Sequence, residues 1–138
     1  MTCEEIMKYR NEHNSFAAFL GIVTTEMTPG YAKGEMYLTV NHINAVGSVH
    51  GGAIFALADT IGGAAAASHG TRTTTVSGDF HYLSAAMGSK KLIGVAKEIK
   101  YGKRILVYDV EILDEQEKLI AKGTFSYYNL GTPWVAEE

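Results

Sequence analysis

The feature that most constrains this 138-residue chain is one uninterrupted segment of small and apolar residues, Gly51 to Ala67. Within it Ile54, Leu57, Ala58 and Ile61 recur at helical spacing, and no proline interrupts them. A helix that is apolar on nearly all sides lies buried inside a fold. At ~1.5 Å per residue the segment reaches only about 25 Å, which is short for a bilayer span. It therefore predicts a buried central helix.

The segments around this helix show the β-branched, aromatic and alternating patterns of strands. A short helix is predicted over Thr2 to Asn14, with Thr2 as its cap. The predicted strands are Phe19 to Met27, Tyr31 to Val40, Thr71 to Leu83, Leu92 to Lys100, Arg104 to Leu113 and Leu119 to Tyr128. Antiparallel strands on one side of a single helix form an α+β layer and not a parallel βαβ sheet. One domain over residues 1–138 is expected at this length.

Charge and cysteine content exclude several classes of protein. A net charge of -3 offers no basic field for nucleic acid and no polybasic membrane anchor, so neither partner is expected. Cys3 is the only cysteine, which excludes an internal disulfide and a cysteine-rich metal site. The five histidines show no paired ligand spacing on a helix, so no metal is expected. Since no secretory signal is recognisable, the expected location is the cytoplasm.

Asp59 is a carboxylate in the middle of the most apolar helix of the chain. Because burying an unpaired charge is costly, such a residue has either a partner or a chemical role. A structural role would be to cap a break in the helix or to hydrogen-bond a neighbouring element. We favour the chemical role, because perturbed carboxylates in apolar surroundings are enriched at active sites.

The start of the same helix carries a second candidate feature, the glycine pair Gly51 and Gly52. Glycines at a helix start leave backbone N–H groups open to a ligand oxygen, and the helix dipole adds partial positive charge there. Both effects suit an oxyanion. Taken alone, however, the pair indicates only tight packing, and the preceding His50 is more typical of a structural histidine.

Two polar features elsewhere carry weaker signals. Ser77 lies in a predicted strand, where its hydroxyl could orient a water molecule, but polar residues on a strand face are common. Lys103 and Arg104 follow Gly102 in a predicted turn and could meet the phosphates of a nucleotide carrier. Isolated residues of this kind are more typical of a solvated turn.

Considered together, these residues resemble the phenylacetate-degradation (PaaI-like) branch of the hotdog thioesterases. The matching pattern is Asn44-x-x-Gly47-x-x-His50-Gly51-Gly52, then Leu57-Ala58-Asp59, then Ser77. The resemblance runs from about Phe19 to Tyr128. It implies a hotdog fold, in which one long central helix packs on a curved antiparallel β-sheet. One departure is the Glu115-Gln116-Glu117 turn, where a glycine would ease the tight geometry.

The resemblance also implies an activity: hydrolysis of an acyl-CoA, with an alkyl or an aryl acyl group, to the free acid and CoA. CoA is then part of the substrate, and no separate cofactor is expected. Asp59 would be the nucleophile or the general base, with Ser77 orienting it. The thioester would be held by Asn44, His50 and the Gly51 N–H. The remaining expected substrate contacts are Gly47, Gly52, Gly78, Lys103 and Arg104.

The spacing of Gly51 and Asp59 adds a prediction about assembly. Eight helical residues separate their backbones by roughly 12 Å, whereas a thioester carbon must lie within about 3 Å of both the oxyanion donor and the attacking group. Two antiparallel copies of the helix across a two-fold axis can bring Asp59 of one chain to Gly51 of the other. We therefore expect a homodimer with shared active sites, assembled further into a tetramer as a dimer of dimers.

Two other functions remain open from the sequence. A hotdog hydratase or dehydratase would also act on an acyl thioester, but its aspartate-to-histidine signature is not visible. A non-catalytic acyl-CoA sensor is the alternative outside enzymes. Such regulators usually carry a DNA-binding segment, for which 138 residues leave no space.

Overall fold

A computed structural model of the protein describes residues 1–135, and its centre is one long helix lying across a six-stranded antiparallel sheet. The elements of this part of the chain are α1 Cys3–His13, α2 Ser15–Phe19, β1 Ile22–Thr28, β2 Tyr31–Tyr37, α3 Gly51–Ala67, β3 Thr71–Tyr82, β4 Lys91–Tyr101, β5 Ile105–Asp114 and β6 Leu119–Pro133. The strand order is β1-β2-β4-β5-β6-β3. The predicted α+β arrangement of one central helix on an antiparallel sheet is confirmed.

Helix α3 begins and ends at the predicted residues and is buried along most of its length. It approaches the sheet closely above two glycines of neighbouring strands, Gly34 and Gly94, which are paired with each other. A Cβ at either position would crowd the Ile61 side chain. These glycines therefore let the helix lie low on the sheet, where Leu57 and Ile61 are fully buried. No helix within residues 1–135 combines the length and the apolarity needed to cross a bilayer.

The N-terminal helix is also as predicted. Thr2 caps α1 and forms a capping box with Glu5, in which each side chain bonds the other residue's backbone N–H. Helices α1 and α2 both pack against β1, which is one edge of the sheet. Ile6 is the fully buried residue of α1.

Three boundaries differ from those predicted by more than one residue. Helix α2 replaces the beginning of the first strand. Strand β2 ends at Tyr37, because the following residues form a 3-10 turn, Val40–His42. Strand β6 continues five residues beyond Tyr128, since its end pairs with the beginning of β3. Its last residues include a glycine and a proline, which locally resemble a turn; pairing with β3 overrides that preference.

The β5–β6 turn achieves its geometry without a glycine. Glu117 adopts a φ of 64°, a left-handed conformation that is uncommon for a residue with a side chain. The Asp114 carboxylate holds the turn by accepting the N–H groups of Gln116 and Lys118, both at 2.9 Å. The departure noted in the sequence is therefore accommodated by local hydrogen bonds.

Candidate active site

Asp59 lies half-buried on α3, and two hydroxyl groups contact it from the sheet. Its Oδ1 accepts a hydrogen bond from Thr75 Oγ1 at 2.8 Å. The Tyr127 hydroxyl lies 3.2 Å from the same oxygen and 2.9 Å from the main-chain carbonyl oxygen of Asp59. Burial raises the pKa of Tyr127 well above its ordinary value, with Asp59 adding to the shift. Tyr127 therefore stays protonated and serves as a donor.

A cation from the N-terminal helix approaches the same place. Arg10 Nη2 lies 3.4 Å from the carbonyl oxygen of Thr60. Burial lowers the pKa of Arg10, while Tyr127 and Asp59 raise it. Together with Thr73, Thr74 and Gly63, these residues line a small polar cavity of about 200 Å³. The cavity therefore offers a carboxylate, a guanidinium and several hydroxyl groups to a ligand.

The structure separates Ser77 from Asp59. A β-bulge interrupts the β3–β6 register between Thr75 and Ser77, so Thr75 lies opposite Tyr127 but Ser77 lies opposite Ser126. Cross-strand partners project to the same face of a sheet, and consecutive residues to opposite faces. Because Tyr127 reaches α3, Thr75 projects toward the helix and Ser77 projects away from it. The strand hydroxyl that bonds Asp59 is Thr75.

The first turn of α3 presents a backbone donor. His50 is the N-cap: its Nδ1 accepts from the Gly52 N–H at 2.8 Å, and its carbonyl oxygen accepts from Ala53 and Ile54. Within residues 1–135 the Gly51 N–H makes no hydrogen bond. Since Nδ1 is an acceptor, neutral His50 carries its proton on Nε2, which is free to donate. Gly51 and His50 thus offer two donors at a helix N-terminus.

The loop before α3 is ordered by Asn44. Its Oδ1 accepts the N–H groups of Val46 and Ser48 at 3.0 and 3.1 Å, and its Nδ2 donates to Ser48 Oγ. Gly47 closes the loop with a φ of 87°, a conformation that favours glycine. One of the two Nδ2 hydrogens of Asn44 remains for another acceptor.

The two candidate regions line separate cavities. Gly51 lies in a cavity of about 320 Å³ together with Tyr82, Leu83 and Ser84. The Tyr82 hydroxyl donates to the Gly51 carbonyl oxygen at 2.8 Å and so fixes the position of that peptide. None of the residues that line this cavity also lines the cavity of Asp59. A donor group and a carboxylate therefore lie on one helix but open to different spaces.

Comparison with known proteins identifies the family. The model of the thioesterase superfamily matches residues 46–121. The acyl-coenzyme A thioesterase PaaI of Escherichia coli K12 is 33% identical over 110 residues, which cover 80% of this chain and 79% of that protein. The chain belongs to the thioesterase superfamily. Its fold matches the structure of the E. coli PaaI protein from the phenylacetic acid degradation operon, with a TM-score of 0.91, 28% identity and 95% of each chain covered.

A more distant structure supports the fold of this PaaI-like chain. A thioesterase protein of Streptococcus pneumoniae TIGR4, whose structure was determined with coenzyme A, matches with a TM-score of 0.83. The match covers 91% of this chain and 98% of that protein at 24% identity. The hotdog fold expected from the sequence is confirmed by both structures, and the PaaI-like resemblance by the match to E. coli PaaI.

The remaining expected substrate contacts of this thioesterase-superfamily chain lie outside the two cavities. Gly78 faces α3, where a Cβ would come 2.7 Å from Phe125 and 2.9 Å from Phe55. The Gly52 N–H donates a hydrogen bond to Nδ1 of His50, the N-cap of α3. Lys103 and Arg104 are exposed in the β4–β5 turn, where Arg104 Nη1 donates to the Tyr128 hydroxyl at 3.3 Å. Within residues 1–135 no group of three or more His, Cys, Asp or Glu side chains is arranged to hold a metal ion.

Sequence reasoning missed three residues that contact or adjoin Asp59: Arg10, Thr75 and Tyr127. Thr75 was hidden by the bulge, because a period of two along the strand cannot locate an inserted residue. Tyr127 had a partial signal, since it lies on a predicted strand of a sheet that was expected to cover one side of the helix. No sequence signal linked Arg10 to Asp59, since Arg10 lies on α1, 49 positions earlier in the chain.

Proposed function

We propose that the protein hydrolyses acyl-CoA thioesters, alkyl or aryl, at active sites shared between two copies of the chain. Asp59 of one chain acts on a thioester whose carbonyl oxygen is held by the first turn of α3 of the other. The observation that carries this proposal is the separation of Gly51 and Asp59 into two cavities on one chain. Eight residues along α3 correspond to about 12 Å, too far for one thioester carbon to meet both.

The polarising half of the proposed site is the start of α3. The free Gly51 N–H points along a helix dipole whose positive end stabilises developing negative charge on the thioester oxygen. His50 Nε2–H, on the residue before Gly51, is the second donor proposed for the substrate. Asn44 contributes by ordering the loop and through its remaining Nδ2 hydrogen. Gly47 shapes the preceding loop, and the Gly52 N–H holds the His50 ring through its hydrogen bond to Nδ1.

The attacking half is Asp59. In the nucleophilic route its carboxylate oxygen forms a bond to the thioester carbon, the C–S bond breaks, and CoA leaves as thiolate; water then cleaves the resulting anhydride. In the general-base route Asp59 takes a proton from the water that attacks. Both routes yield the free acid and CoA, and neither draws on a metal or a further cofactor.

Thr75 is proposed for the orienting role that the sequence suggested for Ser77. Its hydroxyl hydrogen bond to Asp59 Oδ1 leaves Oδ2 as the oxygen for attack or proton transfer. Tyr127 restrains the same carboxylate from the adjacent strand. Gly78, by its lack of a side chain, leaves room for the Phe55 and Phe125 rings beneath the substrate.

Strand β3 supplies the proposed dimer contact. It is the outer strand of the sheet, twelve residues long, and its middle is exposed from Thr74 to Asp79. A long exposed edge strand is a template for pairing with another chain. Antiparallel pairing of two β3 strands would set the two α3 helices antiparallel, as the shared site requires. Two such dimers would form the expected tetramer.

Lys103 and Arg104 are proposed as contacts for the CoA phosphates. Both are exposed cations at one end of the sheet, and Arg104 is held by Tyr128. Cations at such a turn attract phosphate through a field that salt screens. Their contribution is to substrate affinity rather than to the chemical step.

Complementation between inactive chains tests the shared site. Asp59→Asn removes the attacking group, and Gly51→Val places a side chain against Tyr82 at the oxyanion position. After dissociation and reassembly, half of the dimers are mixed, and in those one site carries both defects while the other carries neither. Activity should therefore return to about a quarter of the wild-type value.

The matched control mixes Asp59→Asn with Thr75→Val, whose defects belong to the same half of the site. Mixed dimers then contain no intact site, so activity should not exceed the mean of the two parents. If the first mixture stays inactive although subunit exchange is verified by mass spectrometry, the shared-site proposal is rejected.

A further inference from the structure

A second, larger cavity adjoins the cavity of Asp59. It has a volume of about 500 Å³ and lies between α1, the beginning of β3 and Trp134. The two cavities share Arg10 and Asn14 in their linings. An occupant that passes Arg10 from the Asp59 cavity therefore enters this space, which we call the α1–Trp134 cavity.

The charge of the α1–Trp134 cavity is opposite to that of the chain. Arg10, Arg72 and His13 line it, and none of the described residues that line it is acidic, although the net charge of the chain is -3. The Arg72 guanidinium carbon lies 4.2 Å from the centre of the Trp134 ring, which holds the cation in place. The cavity is therefore a preformed positive site with an aromatic wall.

Arg10 adds an unsatisfied donor at the junction of the two cavities. Its Nε is buried and has no hydrogen-bond partner within residues 1–135. Buried donors in native structures are nearly always paired, so the unpaired Arg10 Nε favours an acceptor group at this junction. A guanidinium matches the planar geometry of a carboxylate with two parallel hydrogen bonds.

We propose that the α1–Trp134 cavity binds the far end of an acyl group that ends in a carboxylate, with Arg72 and Arg10 as the residues that select it. This proposal rests on the proposed thioesterase activity and names its substrate class as the CoA half-thioesters of dicarboxylic acids. The acyl group, rather than the nucleotide, reaches the cavity because the cavity adjoins Asp59. The pantetheine arm separates the nucleotide of CoA from the thioester.

The test compares charged and uncharged acyl groups of the same shape. Adipoyl-CoA and 6-methylheptanoyl-CoA differ in that an isopropyl group replaces the carboxylate; glutaryl-CoA and 5-methylhexanoyl-CoA form a shorter pair. Binding to the Asp59→Asn protein is followed through the fluorescence of Trp134, which is the only tryptophan of the chain and lines the cavity. At least one dicarboxylic thioester should bind on the order of tenfold tighter than its isostere.

Arg72→Met should remove most of this preference, whereas Lys8→Met, which deletes a cation from the exposed side of α1, should leave it intact. The inference is overturned if each isostere binds as tightly as its charged counterpart, or if the preference survives in Arg72→Met. Turnover by the wild-type protein separates the two proposals. If none of the four thioesters is hydrolysed, the proposed activity fails for these acyl groups, while the fluorescence comparison still decides whether the cavity selects a carboxylate.

Discussion

The two functional regions of helix α3 are built from different parts of the polypeptide. At the first turn the useful groups are backbone N–H donors, exposed because Gly51 has no side chain and because His50 caps the neighbouring N–H. Two turns later the useful group is the Asp59 side chain, positioned by hydroxyl groups of two strands. A side chain added at Gly51 would block the first region, whereas the second is disabled by replacing the carboxylate of Asp59. In the proposed mechanism, a single helix therefore carries two half-sites, which a second copy of the chain would bring together.

The largest effect is expected at Asp59. Asp59→Asn keeps the shape of the side chain but removes the charge that is proposed to attack carbon or to accept a proton. The turnover rate should fall on the order of 10³-fold or more, while substrate binding and the melting temperature stay near wild-type values. Steady-state kinetics and thermal melting measure this. Turnover close to wild type would exclude Asp59 from the chemistry and leave the first turn of α3 as the only functional region.

The next largest loss of turnover is expected at Thr75, and Ser77 on the same strand provides the comparison. Thr75→Val removes the hydroxyl that bonds Asp59 Oδ1, and a hydrogen bond to a charged group corresponds to roughly a tenfold to hundredfold loss in turnover. Ser77→Ala is the matched control, since the bulge turns Ser77 to the other face of the sheet. Its turnover should be unchanged. An equal loss in both variants would contradict the assignment of Thr75.

A smaller loss is expected at Tyr127. Tyr127→Phe removes one of the two donors to Asp59 Oδ1 but leaves Thr75 in place. Turnover should fall about tenfold. Combining Tyr127→Phe with Thr75→Val should cost more than the product of the single effects, because the carboxylate then loses both restraints. Simple multiplication of the two effects would show that the hydroxyl groups act independently.

The raised pKa of Tyr127 also predicts how the free energy of unfolding depends on pH. Because folding raises the pKa of Tyr127 above its ordinary value of 10.0, the folded chain holds this proton more tightly than the unfolded chain does. The resulting stabilisation is complete below about pH 10 and is lost as the pH rises toward the folded-state pKa. Denaturant unfolding above pH 10 should therefore show a shallower loss of stability in Tyr127→Phe than in the wild type. Parallel pH dependences would contradict this.

The smallest effect on catalysis is expected at Lys103 and Arg104, which lie outside both regions of α3. Replacing Lys103 and Arg104 by Met should raise KM for acyl-CoA by a few-fold with kcat unchanged, because exposed charge pairs contribute little and are screened by salt. Added salt should raise KM in the wild type and have less effect on the double variant. Replacing Lys8 and Lys118 instead makes the same change in net charge elsewhere. A similar rise in KM there would indicate a general field and not a phosphate contact.

Several features of this protein were determined by the sequence alone. The bounds of α3 follow from a helical apolar pattern between His50 and Ser68, and the Thr2 cap of α1 is a local signal of the same kind. Asp59 stood out because a carboxylate is costly in that apolar setting. The helix bounds and the cap could be predicted because helix periodicity and capping depend on residues that are close in sequence. The chemical role of Asp59 stays a prediction.

Tertiary structure alone decided what surrounds Asp59. The bulge in β3 depends on how that strand pairs with β6, and it decides that Thr75, and not Ser77, faces the helix. Arg10 reaches the same carboxylate region because α1 packs on β1, from where the Arg10 side chain extends to Thr60 of α3, a contact that no local pattern encodes. Register shifts and the packing of distant helices depend on the energy of the whole assembled core. Helical periodicity, capping and strand alternation extend over only a few neighbouring residues.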